Sequence, residues 1–284
     1  MSWLDYPFFR RALVAALLLA PLLGALSHLV VARRLAFLST ALGQAALTGL
    51  TIGLALGETH DESGSPYGGM VGFCLLCALA MVWVKRRAAL PTDTLIGVFV
   101  AFTLGLGICL LVAVTQRFNV HQIEALMFGS LITVTDGDLW LLAALDVGVG
   151  LLLARVYNEL LLDSVAPPLA RAAGVKSARL DYLFVVLLTA AIVLSLKIVG
   201  ALLVEALVVI PAAAGRNVAR SLRSQLLWSI GVALAATVGG LSLSMRFLVP
   251  SGGAVVLVLA GLFALTFGIS CAARGRGHRE DALR

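Results

Sequence analysis

Glu205 is the single carboxylate in an apolar stretch, VGALLVEALVVIPAA, that runs from residue 199 to residue 213. If this stretch lies in lipid, an ionised side chain at the bilayer centre costs about 2.5–3.5 kcal/mol on insertion scales. A carboxyl group tolerates such surroundings either protonated or ionised beside a cation. Glu205 is therefore a candidate metal ligand or proton carrier. The alternative is a neutral carboxyl bonded to a neighbouring helix as a structural device.

Three polar side chains, Thr40, Gln44 and Thr48, recur at every fourth residue of a second apolar stretch. Residues four apart lie on one face of a helix, so the three side chains form a row. In one interpretation the threonine hydroxyls bond to their own helix and the glutamine to a neighbour. In the other, the row lines a translocation path together with Glu205, because a glutamine at mid-depth in a membrane is unusual.

Small residues form a second row on the same stretch. They recur at every fourth position, at Ala41, Ala45, Gly49, Gly53 and Gly57. Small side chains allow the backbones of two membrane helices to approach closely. The sequence thus predicts that this helix is both a packing element and a polar-lined one.

Two further polar residues lie in apolar runs. Asp146 is flanked by leucine, alanine and valine, and either pairs within the bundle or takes part in transport. His28 lies near the end of the first run, where we expect an interfacial side chain satisfied by water or headgroups. Pro211, six residues after Glu205, is expected to interrupt the hydrogen-bond ladder of its helix.

The composition places these residues in a membrane. Apolar residues make up 61% of the chain, charged residues only 13%, and the mean hydropathy is +1.03. These values exclude an ordinary soluble domain and predict an all-α, polytopic integral membrane helix bundle. Runs able to cross ~30 Å of hydrocarbon lie at 11–32, 35–57, 70–84, 94–115, 139–156, 182–196, 198–215, 225–245 and 253–273. The sequence therefore predicts nine transmembrane helices. The spans at 70–84 and 182–196 are short for a full crossing, so counts of eight and ten helices stay open.

The basic residues support an N-out, C-in arrangement of nine helices. Short cytoplasmic loops of membrane proteins collect lysine and arginine. In this arrangement the 21 basic residues fall on the inner side except for Arg10, Arg11, Arg117, Lys197 and Arg246. Arg10 and Arg11 suit an amphipathic N-terminal segment or an N-in chain equally well, so the side of the N-terminus stays open. The net charge of +6 thus reflects topology and calls for no nucleic-acid partner.

The loops are too short for a separate catalytic unit, so residues 1–284 are predicted to form a single transmembrane domain. No GxxxxGK[ST] phosphate loop is present in the sequence. We therefore expect no cofactor on this chain and no enzymatic activity. Any use of ATP, with its Mg, would fall to a partner ATPase.

Two outer segments carry residue types that bind metals. One contains His60, Asp61 and Glu62, and the other contains His121 and Glu124, three residues apart. Either could hold a metal ion before it enters the membrane, although acids and histidines in loops are commonly only solvated.

The run VGALLVEALVVIPAAAGR resembles the signature segment of the permeases of zinc and manganese ABC importers, the metal-importing ABC-3 type. The resemblance continues in order along nearly the whole chain, through ARRLAFLSTALGQAALTGLTIGL, TDTLIGV, FGSLITVTDGDL and VPSGGAVVLV. It implies a homodimeric permease in a bacterial plasma (inner) membrane. The implied partners are a cytoplasmic ATPase subunit, an extracytoplasmic substrate-binding protein and a second permease copy.

The ATPase contact is predicted in the inner connection 157–181, which contains a Pro-Pro pair suited to start a short coupling helix. The predicted coupling residues follow that pair directly. They are Leu169, Ala170, Arg171, Ala172, Ala173 and Gly174.

The sequence also departs from the family pattern. Similar permeases commonly carry an aspartate and a histidine four residues apart on the second helix, where this chain has Thr40 and Gln44. Neither side chain binds zinc well. Near residue 247 the family often shows Tyr-Asp before Thr-Pro, and here Phe247, Leu248 and Val249 precede the proline. These departures leave the identity of the ion open.

Three functions follow from these patterns. The first is a metal-importing ABC permease with Glu205 in its path. The second is a proton-coupled secondary transporter that uses Glu205 and Asp146. The third is a structural or regulatory membrane subunit without transport.

Overall fold

A computed structural model describes residues 7–57, 67–88, 90–115, 136–247 and 249–281. These residues form ten α-helices and contain no strand. In chain order the helices are α1 (Pro7–Ala32), α2 (Leu38–Gly57), α3 (Tyr67–Arg87), α4 (Thr92–Thr115), α5 (Asp136–Val165), α6 (Pro167–Ala172), α7 (Ser177–Val199), α8 (Ala201–Val218), α9 (Leu222–Phe247) and α10 (Ser251–Asp281).

Nine of the described helices, all but α6, are long and apolar enough to cross a membrane. The predicted all-α polytopic class is thus confirmed, and so is the count of nine for the residues that the structure describes. The two short predicted spans are full-length helices, because α3 continues through Arg87 and α7 begins at Ser177. The neighbouring runs at 182–196 and 198–215 form two separate helices, α7 and α8, which are divided at Gly200. The φ of Gly200 is 90°, a left-handed conformation that glycine adopts without strain.

Ion pairs at both ends of the bundle confirm the predicted alternation of helix direction. Arg11 at the start of α1 lies 2.6 Å from Asp136 at the start of α5. At the opposite end, Arg33 follows α1 and contacts Asp163 near the end of α5 and Asp181 near the start of α7. The segments predicted to be cytoplasmic after α1 and α5 therefore lie on one side.

The central helices of the bundle are α1, α2 and α7, most of whose residues are buried. Helix α1 packs against α5, α8 and α9, while α2 packs against α3, α4, α7 and α8. Helices α4, α5 and α10 lie at the periphery and expose large apolar side chains such as Phe102, Val147 and Phe267. Apolar side chains that face outward suit a lipid environment. The contact between α2 and α8 brings the two sequence stretches of interest together.

Glycines allow α2 and α3 to pack closely. A Cβ atom on Gly69 of α3 would lie 2.7 Å from the Cα atom of Gly53 and 2.8 Å from the carbonyl oxygen of Gly49. Two members of the small-residue row on α2 are thus in backbone contact with a glycine on the next helix. The predicted packing role of this row is confirmed at these two positions.

Replacing Gly69 with valine is expected to destabilise the protein by about 1–3 kcal/mol, because the new side chain would push apart two backbones. Gly72→Val is the matched control, since a Cβ atom at Gly72 meets nothing within 4 Å. Thermal unfolding in detergent measures both variants. Equal unfolding temperatures for the two would contradict the packing role of Gly69.

Candidate functional site

The candidate site lies where α8 meets α2. Glu205 on α8 is half-buried, and its Oε2 atom lies 3.5 Å from the hydroxyl of Thr40, a long hydrogen-bond distance. Its Oε1 atom lies against Gly43, where a Cβ atom would collide with it. The lone carboxylate of α8 therefore faces α2, and the absence of a side chain at Gly43 makes the room that it occupies.

The polar row on α2 divides into two environments. Gln44, one turn after Thr40, is half-buried and bonds to no described residue through its amide. Thr48, one turn further, is fully buried, and its hydroxyl lies 2.8 Å from the carbonyl oxygen of Thr103 on α4. The Thr48 hydroxyl is also 3.1 Å from the carbonyl oxygen of Gln44, as expected if the threonines of this row bond to their own helix. Thr40 and Gln44 can therefore belong to a site with Glu205, whereas Thr48 joins α2 to α4.

Helix α8 continues through Pro211, which removes one backbone donor from its ladder. The neighbouring N–H of Ala212 donates to the hydroxyl oxygen of Ser27 on α1, at 3.1 Å. The Ser27 hydroxyl in turn lies 3.4 Å from the carbonyl oxygen of Val209. A side chain from α1 thus satisfies backbone groups next to the proline, which fixes the helix that carries Glu205.

Asp146 occupies a different part of the molecule from Glu205. It lines a cavity of about 500 Å³ between α1, α5 and α9, with mostly aliphatic walls. Its Oδ1 atom is buried without a hydrogen-bond partner among the described residues. None of the residues that contact Glu205 lines this cavity, so the structure does not bring the two carboxyl groups into one site.

The prediction that His28 is interfacial is wrong. Its side chain is 0% exposed and stacks on the ring of Tyr157 with the ring centroids 6.2 Å apart. Neither ring nitrogen has a hydrogen-bond partner within the described ranges. Because α1 is covered by α5, α8 and α9, His28 is enclosed by protein.

The predicted coupling segment contains a short helix, as expected from its proline pair. Helix α6 begins at Pro167, Leu169 is 59% exposed, and Ala170 is completely buried. The chain then turns through Gly174 at a φ of 77° and enters α7. Much of the range 157–181 is helical, because α5 extends to Val165 and α7 starts at Ser177. Helix α6 thus presents the apolar side chain of Leu169 outward.

The five outer residues with metal-binding side chains lie outside the described residues. They are His60, Asp61, Glu62, His121 and Glu124. Within the described part of the chain, no three His, Cys, Asp or Glu residues form a group that could hold a metal ion. Any ion at Glu205 would therefore need neutral oxygen ligands or groups from elsewhere.

Sequence reasoning missed Gly43, Ser27 and the ion pairs of Arg33. A glycine inside the polar row of α2 is a weak signal for close contact, and it becomes meaningful only when Glu205 is seen against it. Ser27 gives no signal at all, since isolated serines are ordinary in membrane helices. Its function depends on the proline of another helix.

Replacing Gly43 with alanine is expected to lower the rate of transport without lowering the thermal stability of the protein. The added methyl group would displace the Glu205 carboxylate, which ends a flexible side chain and can move. Alanine also favours a helix interior by up to about 1 kcal/mol over glycine. Transport assays and thermal unfolding in parallel measure the two effects. Gly97→Ala is the control, because a Cβ atom there meets nothing within 4 Å; wild-type transport by Gly43→Ala would contradict the prediction.

The described residues thus contain nine helices able to cross a membrane, a carboxylate held between two of them and a short helix at the predicted inner face, which together are typical of a membrane transport protein of the permease class. The chain belongs to the ABC 3 transport family, whose model matches residues 5–270. The resemblance seen in its motifs is confirmed.

Known proteins of this type match over nearly their full lengths. The chain is 29% identical to the manganese import system permease protein ScaB of Streptococcus gordonii over 266 residues, 94% of this chain and 92% of ScaB. It is 31% identical to the high-affinity zinc uptake system membrane protein ZnuB of Haemophilus influenzae, over 92% of this chain and 95% of ZnuB. The solved structure of PsaBC from Streptococcus pneumoniae in complex with Fab superposes with a TM-score of 0.79 at 27% identity, covering 93% of this chain and 92% of that chain. These relatives do not favour the proton-coupled alternative.

Proposed function

We propose that this chain is the permease subunit of an ATP-binding cassette importer that moves a divalent metal ion of the manganese or zinc class into the cytoplasm. The observation that carries the proposal is the Glu205 carboxylate facing Thr40 and Gly43 at the α2–α8 contact. Membership of the ABC 3 transport family and the manganese and zinc systems among the relatives support it.

The ligands that the site offers favour manganese over zinc. Glu205, Thr40 and Gln44 supply only oxygen, as carboxylate, hydroxyl and amide groups. Oxygen ligands suit Mn²⁺, whereas zinc sites are built mainly from nitrogen and sulfur. The proposed path consists of Thr40, Gln44 and Glu205, with Thr48 supporting α2 from the side of α4.

The proposed complex contains two permease copies in a bacterial inner membrane, so that two Glu205 carboxylates approach one axis. A cytoplasmic ATPase subunit contacts residues 169–174 and carries the ATP and Mg. An extracytoplasmic binding protein delivers the ion to the outer face, where His60, Asp61, Glu62, His121 and Glu124 receive it. ATP-driven closure of the partners rocks the two bundles and switches the path from outward to inward access. The chain itself makes and breaks no covalent bond.

Reconstitution in vesicles tests this proposal. The permease, its ATPase and its binding protein are incorporated together, and elemental analysis measures Mn²⁺ and Zn²⁺ inside the vesicles with and without ATP. ATP-dependent accumulation of Mn²⁺ in excess of Zn²⁺ is expected. Uptake that persists without ATP and stops when a proton gradient is dissipated would overturn the proposal in favour of a secondary carrier.

A further inference from the structure

A nearly buried arginine lies at the inner end of the bundle, outside the proposed path. The side chain of Arg33, in the turn between α1 and α2, is only 6% exposed. Its guanidinium group donates at 2.8 Å to Asp163 of α5 and at 2.8 Å to Asp181 of α7. It also lies 5.2 Å from the ring centroid of Phe184. Charge-assisted hydrogen bonds of this length are short and directional. They hold the end of α1, the end of α5 and the start of α7 in one arrangement.

Two further contacts extend this cluster. Arg86 at the end of α3 lies 3.4 Å from Asp181, and the hydroxyl of Ser177 donates to Asp163 at 2.6 Å. The four charged residues balance as two cations and two anions, and the three least exposed of them, Arg33, Asp163 and Asp181, are paired as buried charges require. We call Arg33, Asp163, Asp181, Arg86 and Ser177 the inner cluster.

The two carboxylates of the inner cluster flank the short helix α6. Asp163 lies in the last turn of α5 before α6, and Asp181 lies in the first turns of α7 after it. Helix α6 is thus joined along the chain to both carboxylates that bind Arg33. On its other side, Arg33 precedes α2, which begins at Leu38 and carries Thr40 within its first turn.

We propose that Arg33 is a positioning residue that transmits movement of the ATPase-facing helix α6 to α2, and hence to the contact between Thr40 and Glu205. The inference rests on the proposed function, because α6 moves only if an ATPase drives it. Arg33 itself touches no substrate. It links Asp163 and Asp181, the carboxylates on either side of α6, to α2, the helix that forms one side of the path.

The test compares transport with ATP hydrolysis in the same vesicles, using Mn²⁺ as the probe. Arg33→Gln is expected to retain assembly with the ATPase and most of the hydrolysis while Mn²⁺ imported per ATP falls about tenfold, within the range of coupling changes produced by mutations between sites. Arg33→Lys, which keeps the charge, restores part of the ratio. Arg34→Gln is the matched control, because Arg34 is exposed in the same turn and forms no ion pair with described residues.

A purely structural role would lower Mn²⁺ uptake and ATP hydrolysis in proportion. The amount of Mn²⁺ imported per ATP would then be unchanged, and that result overturns the inference. If Arg33→Gln does not assemble, Asp163→Asn decides by the same ratio, since it removes one of the two anchors and leaves the bond to Asp181. Failure of the proposed function is distinguishable: the wild-type complex would then import neither Mn²⁺ nor Zn²⁺ with ATP.

Discussion

Replacing Glu205 with glutamine is expected to lower ATP-dependent Mn²⁺ uptake by about 10- to 100-fold, the range known for loss of groups that merely support a metal ligand. The glutamine fits the same space against Gly43 and Thr40 but carries no negative charge. A divalent ion in the low dielectric of the bundle would then lack the one anionic partner that the described residues offer at this contact. Uptake is measured in vesicles that contain the complete complex, with the amount of inserted permease determined by immunoblot.

Two variants sharpen this experiment. Asp93→Asn is the control, since Asp93 is exposed in the first turn of α4 and one negative charge is removed away from both Glu205 and the proposed ATPase contact. Glu205→Asp keeps the charge but shortens the side chain, so it should import more than Glu205→Gln and less than the wild type. Normal uptake by Glu205→Gln in a normally inserted protein would show that Glu205 is a structural carboxyl.

Replacing Leu169 with glutamate is expected to abolish copurification of the permease with its ATPase. Leu169 is 59% exposed on α6, so its apolar side chain is available to a partner while the bundle does not depend on it. Removal of an apolar anchor from the centre of an interface costs about 2 kcal/mol or more, which corresponds to a loss of affinity of roughly 30-fold. A buried charge at that position adds to the loss.

Affinity pull-down of the ATPase with tagged permease measures this effect, and thermal unfolding shows that the bundle is intact. Leu222→Glu provides the control, because Leu222 is also exposed, at 41%, at the start of another helix on the same side. Undiminished binding by Leu169→Glu would show that α6 is not the ATPase contact. Loss of binding by both variants would indicate a footprint wider than residues 169–174.

The helices and their directions could be predicted from local patterns. Each apolar run became a helix, and the ion pairs at Arg11 and Arg33 lie at the ends that the charge distribution predicts. The ends of α3, α5 and α7 could not be predicted as well. These helices extend beyond the apolar core into polar residues such as Arg87, Asp163 and Ser177, where the hydropathy signal stops but backbone hydrogen bonding does not.

The candidate site was only partly predictable. Spacing placed Thr40, Gln44 and Thr48 in one row, yet Thr48 is buried against α4 while Thr40 faces Glu205. A four-residue spacing in an α-helix drifts around the axis, so three successive members need not face the same neighbour. Which neighbour each one meets depends on where other helices pack.

The sequence by itself determined that this chain crosses the membrane, how many times, and which family it resembles, because hydropathy, charge distribution and motifs are properties of local stretches. Only the tertiary structure decided that Glu205 contacts Gly43, that the Ser27 hydroxyl accepts the hydrogen bond of the backbone N–H next to Pro211, and that Arg33 pairs with carboxylates on the helices before and after α6. Each of these contacts joins residues more than 100 positions apart, and no local pattern encodes which faces of two distant helices meet.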